Sequence, residues 1–227
     1  MKPRLIVVAL LFLPVASATS APLVSNLENA FGGNAGIGIR PDPFGGVGPE
    51  TLRRAQSFTT GSGSIEFGAV TLSMNDAPGG DGFHVDLHVD VAGVPSETPL
   101  MSLVGNGNPS ITGLYDYFRS FPIVLLPNST YWIVAAADSV PPEENFAWHA
   151  TQDGSEVGEP GWSLGNGFLT RTINSRSNLG WIGGGSGALK MAVLEIPEPS
   201  SIVAALATIL LGAPMHCRRR VASAAKL

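Results

Sequence analysis

From residue 83 to residue 91 the chain alternates without a break, with Phe83, Val85, Leu87, Val89 and Val91 on one parity and His84, Asp86, His88 and Asp90 on the other. Successive side chains of a strand point to opposite faces, so a period of two marks a strand and does not fit the 3.6-residue repeat of a helix. The segment predicts a strand with one packed face and one wet face. A second run, residues 130–137, is apolar on both parities and predicts a central strand covered on both sides. Other short runs rich in Val, Ile, Phe, Tyr, Trp and Thr predict further strands at residues 56–60, 65–74, 100–104, 115–125, 146–151, 168–173 and 188–196.

Turn chemistry separates these runs. Asn75-Asp76-Ala77-Pro78-Gly79-Gly80-Asp81-Gly82, Asp90-Val91-Ala92-Gly93-Val94-Pro95 and Gly105-Asn106-Gly107-Asn108-Pro109 gather residues that tolerate positive φ or preset a bend. Residues 31–49 are rich enough in Gly and Pro to read as an extended surface loop. Residues 19–196 suit one domain with its own core. The only cysteine, Cys217, lies beyond them, so this domain has no disulfide and no thiol nucleophile. The expected fold is all-β, a single β-sandwich.

The two ends have a different character. Lys2 and Arg4 precede an apolar run at residues 5–13 and then Val15-Ala16-Ser17-Ala18, the three-part layout of a signal peptide spanning residues 1–18, with Ala21 as the alternative cleavage point. The nine residues of that run rise only about 13 to 14 Å, well short of a bilayer core of about 30 Å. At the other end Pro197-Glu198-Pro199 leads into an uncharged stretch rich in Ile, Val, Ala and Leu, which stops at Arg218-Arg219-Arg220. That reads as a short transmembrane helix at residues 200–216 with a basic cytoplasmic tail at 217–227, leaving the sandwich outside the membrane.

Pro197, Glu198 and Pro199, the apolar helix, and the cluster Arg218, Arg219 and Arg220 together resemble the PEP-CTERM sorting signal of Gram-negative bacteria. The resemblance implies recognition by an exosortase-like processing enzyme in the inner membrane. It also implies delivery to the cell surface or extracellular matrix, where such proteins accompany exopolysaccharide and biofilm. The chain departs from the pattern in the tail 221–227 after the arginines and in Pro214 late in the helix. Three internal segments resemble choice-of-anchor ectodomains, in particular the R type: Ala55-Gln56-Ser57-Phe58-Thr59-Thr60-Gly61, Asp90-Val91-Ala92-Gly93-Val94-Pro95 and Leu125-Leu126-Pro127-Asn128-Ser129-Thr130-Tyr131-Trp132-Ile133-Val134. That likeness implies a jelly-roll-like sandwich and brings no catalytic residue with it.

Between Thr19 and Pro199 there are seven basic residues against all eighteen carboxylates, seven minus eighteen, a net charge of −11. An acidic domain without a basic stripe argues against nucleic acid as a partner, because phosphate recognition needs clustered cations. Calcium is the more natural ion, and Asn75, Asp76 and Asp81 around a Gly-rich turn are the candidate ligands, although an Asx-rich hairpin turn explains the same residues. No other cofactor is expected. For carbohydrate, Trp148, Trp162 and Trp181 stand in polar, Gly-rich surroundings and are the candidate contacts, with anchoring of a loop or rim as the other reading.

A hydrolytic site needs His84, His88 or His149 to meet carboxylates in one cleft. His84 and His88 are about 13 Å apart on an extended strand and do not reach one metal unaided. Ser186 in Gly183-Gly184-Gly185-Ser186-Gly187 lacks the strand-then-helix context of a nucleophile elbow. Asn128-Ser129-Thr130 fits a glycosylation pattern but reads as a turn before the following strand. The sequence therefore predicts a non-enzymatic surface or matrix protein. A lectin-like module and an envelope hydrolase are the alternatives.

Overall fold

The computed structural model of the protein describes residues 21–32, 37–42, 50–75, 81–139, 146–173 and 180–196, and the regular structure among them is β-strand throughout. In chain order these are β1 (Pro22–Ser25), β2 (Ile37–Asp42), β3 (Glu50–Thr59), β4 (Ile65–Asn75), β5 (Asp81–Val91) and β6 (Val94–Pro95). Next come β7 (Met101–Ser102), β8 (Val104–Gly105), β9 (Gly113–Phe118), β10 (Val124–Leu125), β11 (Thr130–Ser139) and β12 (Phe146–Trp148). The last are β13 (Ala150–Thr151), β14 (Val157–Gly158), β15 (Ser163–Ile173), β16 (Ile182–Ser186), β17 (Ala188–Leu189) and β18 (Met191–Glu195). The signal segment 1–18, Pro197-Glu198-Pro199, the expected helix 200–216 and the tail 217–227 with Arg218, Arg219 and Arg220 lie outside the described residues. Among the described residues no helix is long and apolar enough to cross a membrane.

The described strands pair antiparallel in two layers. One runs β14-β1-β18-β4-β9-β8. The other runs β16-β15-β3-β11-β5-β7. They are joined where β2 pairs with both β3 and β12, and β12 continues onto β4. Side chains from the two layers meet in one core, with Phe67, Leu72 and Tyr117 from the first and Phe58, Leu87 and Ile133 from the second. The Phe83 ring lies 5.8 Å from Tyr117 of the opposite layer and 5.0 Å from Phe146. Each such side chain removed from water contributes about 1.5 to 3 kcal/mol, and this burial holds the sandwich-like fold together without disulfides.

The run at 130–137 becomes β11, which lies between β3 and β5 and is buried on both faces from Tyr131 to Ala137. The alternating segment becomes β5, with Phe83, Val85 and Leu87 in the core. Its other face departs from expectation: Asp86 and His88 are buried too, because chain from beyond β6 covers them. Residues 31–49 are not wholly loop. Ile37–Asp42 forms β2, and Ile39 is fully buried where Phe146 pairs with it. The run at 115–125 splits into β9 and β10.

One close approach ties the edge of the first layer. A Cβ built on Gly158 in β14 falls onto the Leu23 carbonyl oxygen and 2.7 Å from Val24 Cα, both backbone atoms of β1. Neither atom has a side chain's freedom to move aside. Gly158→Ala is expected to cost about 1 to 3 kcal/mol in thermal unfolding through this overpacking. Gly63→Ala, which meets nothing within 4 Å, is expected to stay within about 0.5 kcal/mol.

Candidate functional site

β11 turns Trp132, Val134 and Ala136 away from the core, and the antiparallel register sets His88, Asp86 and His84 of β5 directly beside them. On the other flank Ser57 and Ala55 of β3 stand next to Trp132 and Val134. β15 then places Leu169 opposite Ala55 and Arg171 opposite Arg53. Trp181, just before β16, and Leu169 pack on a small cluster of Ala55, Trp132 and Val134. Strand parity alone thus gathers two arginines, two histidines and two indoles on one outer face.

The hairpin from β5 to β6 turns through Ala92 (φ 55°) and Gly93 (φ 85°), the left-handed pair that a tight two-residue hairpin requires. Asp90 braces it: Oδ2 accepts from the Gly93 amide at 3.1 Å, and Oδ1 accepts from the Trp132 indole N–H at 2.7 Å. The chain beyond β6 then crosses the outer face. His88 Nδ1 is 2.8 Å from the Ser96 carbonyl oxygen, and the Arg171 guanidinium donates to Glu97 Oε2 at 2.8 Å. Because β11 and β3 lie between β5 and β15, the bond from Glu97 to Arg171 makes this segment a strap over the sheet. Ser102 donates to Asp86 Oδ1 at 2.6 Å at the sheet edge.

A carbonyl oxygen only accepts, so His88 Nδ1 carries a proton and Nε2 of the neutral ring is a bare acceptor. Burial pushes the His88 imidazole below its ordinary pKa; the Ser96 carbonyl and Asp86 oppose this, while Arg53 and Arg171 reinforce it. The hydrogen bond from Arg171, chiefly, holds the Glu97 carboxyl below the usual carboxylate range. His88 Nε2, Arg53 Nε and Trp181 Nε1 are buried atoms with no hydrogen-bond partner. Buried polar groups in folded proteins are nearly always paired, so three such atoms on one face mark it as unusual.

The residues singled out from the sequence fall in separate places. Trp148 is fully buried in β12, and its indole N–H donates to the Lys190 carbonyl at 2.9 Å, so no face of the ring is open to a sugar. Trp162 is 7 % exposed and stacks on Phe58 with centroids 6.2 Å apart. Its edge borders a groove of about 380 Å³ lined by Ser62, Ile65, Glu159 and Pro160. Trp181 alone of the three belongs to the strapped face. Asn75 Oδ1 accepts from the Thr112 hydroxyl at 2.7 Å, while Asp76 and the Asp81 side chain lie outside the described residues. Among the described residues no group of three or more His, Cys, Asp and Glu is placed to hold a metal ion.

The histidines do not meet in one cleft. His84 and His88 share the outer face of β5, with His84 Nε2 4.0 Å from Asp86 Oδ2. His149 instead bonds Ser73 of β4 through Nδ1 at 2.9 Å and meets the Phe31 ring edge-on. Burial first, and the Lys190 cation second, hold His149 below its ordinary pKa. Lys190 is itself buried, donating to the Asn29 carbonyl at 2.5 Å and lying 4.2 Å from the centre of the Phe31 ring.

Sequence reading missed Arg53, Arg171, Glu97 and Trp132 as members of the site. Arg53 and Arg171 share the outward parity of their strands with Ala55 and Leu169, which was a usable signal. The position of Glu97 on Arg171 is a long-range contact with no local signature. No protein-family model, curated protein or solved structure matches this chain.

Proposed function

We propose that this chain is an exported, non-enzymatic protein of the cell surface or extracellular matrix, with a jelly-roll-like sandwich delivered by a signal peptide. Sorting runs through the PEP-CTERM-like C-terminus and an exosortase-like membrane enzyme, in association with exopolysaccharide. The observation that carries this reading is the order of Pro197-Glu198-Pro199, an uncharged apolar stretch and Arg218-Arg219-Arg220, directly after the sandwich's last strand β18. A short apolar helix ended by three cations anchors a chain with those cations on the cytoplasmic side, and the proline-rich junction gives a processing enzyme an extended substrate. The compact unit of residues 20–196 carries its own core, so release from the membrane leaves a domain with its packing intact.

The test is intact mass and cell fractionation of the native protein with and without the host's exosortase-like enzyme. The expected result is loss of the C-terminal segment and appearance in the surface or matrix fraction only when the enzyme is present. Replacing Pro197, Glu198 and Pro199 together by alanine is expected to hold the protein in the inner membrane at full length. Full-length protein in the membrane of both strains would overturn the sorting reading. The lectin-like alternative draws support from the unpartnered polar atoms beside Trp181.

A further inference from the structure

We infer that the strapped outer face around Arg53, His88 and Trp181 is a binding site for a neutral polyhydroxyl ligand, the chemical class of a polysaccharide's sugar unit. This gives a ligand class to the matrix reading and rests on it only for the choice of polysaccharide. The three atoms left without partners differ in kind. Arg53 Nε and Trp181 Nε1 carry hydrogens and only donate, whereas His88 Nε2, with Nδ1 turned to the Ser96 carbonyl, only accepts.

A hydroxyl accepts twice and donates once, and so answers both kinds of group. A carboxylate or phosphate only accepts; it would meet the His88 lone pair and the Glu97 carboxylate. A cation would meet Arg53 and Arg171. A buried polar atom left alone is costly, and a ligand hydroxyl that pairs with it recovers that cost.

The register sets these groups on one outer face. Arg53 stands opposite Arg171 in the β3–β15 register, the Arg171 guanidinium lies 5.9 Å from the Trp181 ring centre, and both cations act on the His88 ring. His88 is 2 % exposed, and with the buried Arg53 Nε and Trp181 Nε1 atoms it belongs to the floor, while the rest of the Arg53 and Trp181 side chains, with Ser57 and Leu169, is half-buried at the rim. Trp181 and Leu169 also supply apolar surface for the C–H faces of a sugar ring. The Glu97 side chain, 76 % exposed at the other end of its bond to Arg171, holds the strap from the solvent side.

The test is calorimetric titration of the full chain in detergent micelles with cellohexaose and isomaltohexaose as neutral probes and oligogalacturonate as the anionic one. Trp181→Phe keeps an aromatic ring and removes the N–H together with the five-membered ring that carries it, and Arg53→Met removes the buried Nε donor while keeping most of the side chain's bulk. A neutral oligosaccharide is expected to bind, with each variant weakening it about tenfold and Trp162→Phe leaving it unchanged. Thermal melts of the variants confirm that they are folded.

The inference is overturned if no neutral probe binds up to about 10 mM, or if oligogalacturonate binds more tightly than the neutral probes. It is equally overturned if the loss follows Trp162→Phe instead of Trp181→Phe. Binding by purified protein is independent of sorting, so its failure leaves the fractionation result standing, and a failed fractionation leaves the site standing.

Discussion

Replacing Trp148 with alanine is expected to destabilise the sandwich by about 3 to 5 kcal/mol. The indole is fully buried and is among the largest side chains with no exposed surface. Its residue pairs on one side with Ile37 of β2 and on the other with Met74 of β4, at the point where the two layers are joined. Truncation opens a cavity at that junction and strips the Lys190 carbonyl of the indole N–H. In a domain of this size each kcal/mol shifts the melting temperature by about 2 to 4 °C, so a fall of roughly 10 °C is the expected reading. Trp148→Phe, which keeps most of the apolar volume, should recover a large part of it. A loss below about 1 kcal/mol for the alanine variant would mean that the ring is not packed between the layers.

That contrast also explains what the sequence made legible. Trp148, Trp162 and Trp181 look alike in sequence because each stands close to polar residues outside a long apolar run. They differ in what lies opposite across the sheet, which local composition does not encode. Parity along β5 told which residues point together, and the core side of that strand follows it through Phe83, Val85 and Leu87. Parity does not tell what covers a face. His88 and Asp86 were expected in water because no neighbour in sequence hides them; the strap that does so comes from beyond a tight turn and is held by Arg171, 74 positions from Glu97.

In the same way Ile37 and Ile39 alternate around Gly38, but their pairing partners are in β12, more than a hundred residues on. Gly and Pro on both sides masked the strand signal. Long-range contacts, strand pairing in the fold and the bond from Glu97 to Arg171 in the site, thus supplied what local sequence did not show.

The buried histidines give the fold a pH dependence whose sign follows from their environments. His88 and His149 both have folded-state pKa values depressed below the ordinary 6.5, each chiefly by burial. The groups around His88 are Asp86, Arg53, Arg171 and Glu97, and His149 faces Lys190. Well above pH 6.5, as at pH 8, both rings are neutral in either state, and the stability associated with burying them is fully present.

As pH falls below 6.5 the unfolded chain takes up protons that the folded chain refuses, so stability declines until the folded pKa values are reached. The slope is at most about 1.4 kcal/mol per pH unit for each ring, about 2.7 for the two. Glu97 and Asp153 have depressed carboxyl pKa values, so their contribution is lost only on further acidification, below their ordinary values of 4.5 and 3.8. Urea unfolding at pH 8, 6.5 and 5.5 should therefore show a small loss between the first two, because the unfolded rings are half protonated at the second, and a steeper loss between the second and the third. The double variant His88→Gln and His149→Gln should flatten that loss even if it starts from a lower stability. A wild-type protein equally stable at pH 8 and 5.5 would mean that both imidazoles are solvated in the folded state, and the strap would then have to lie open over His88.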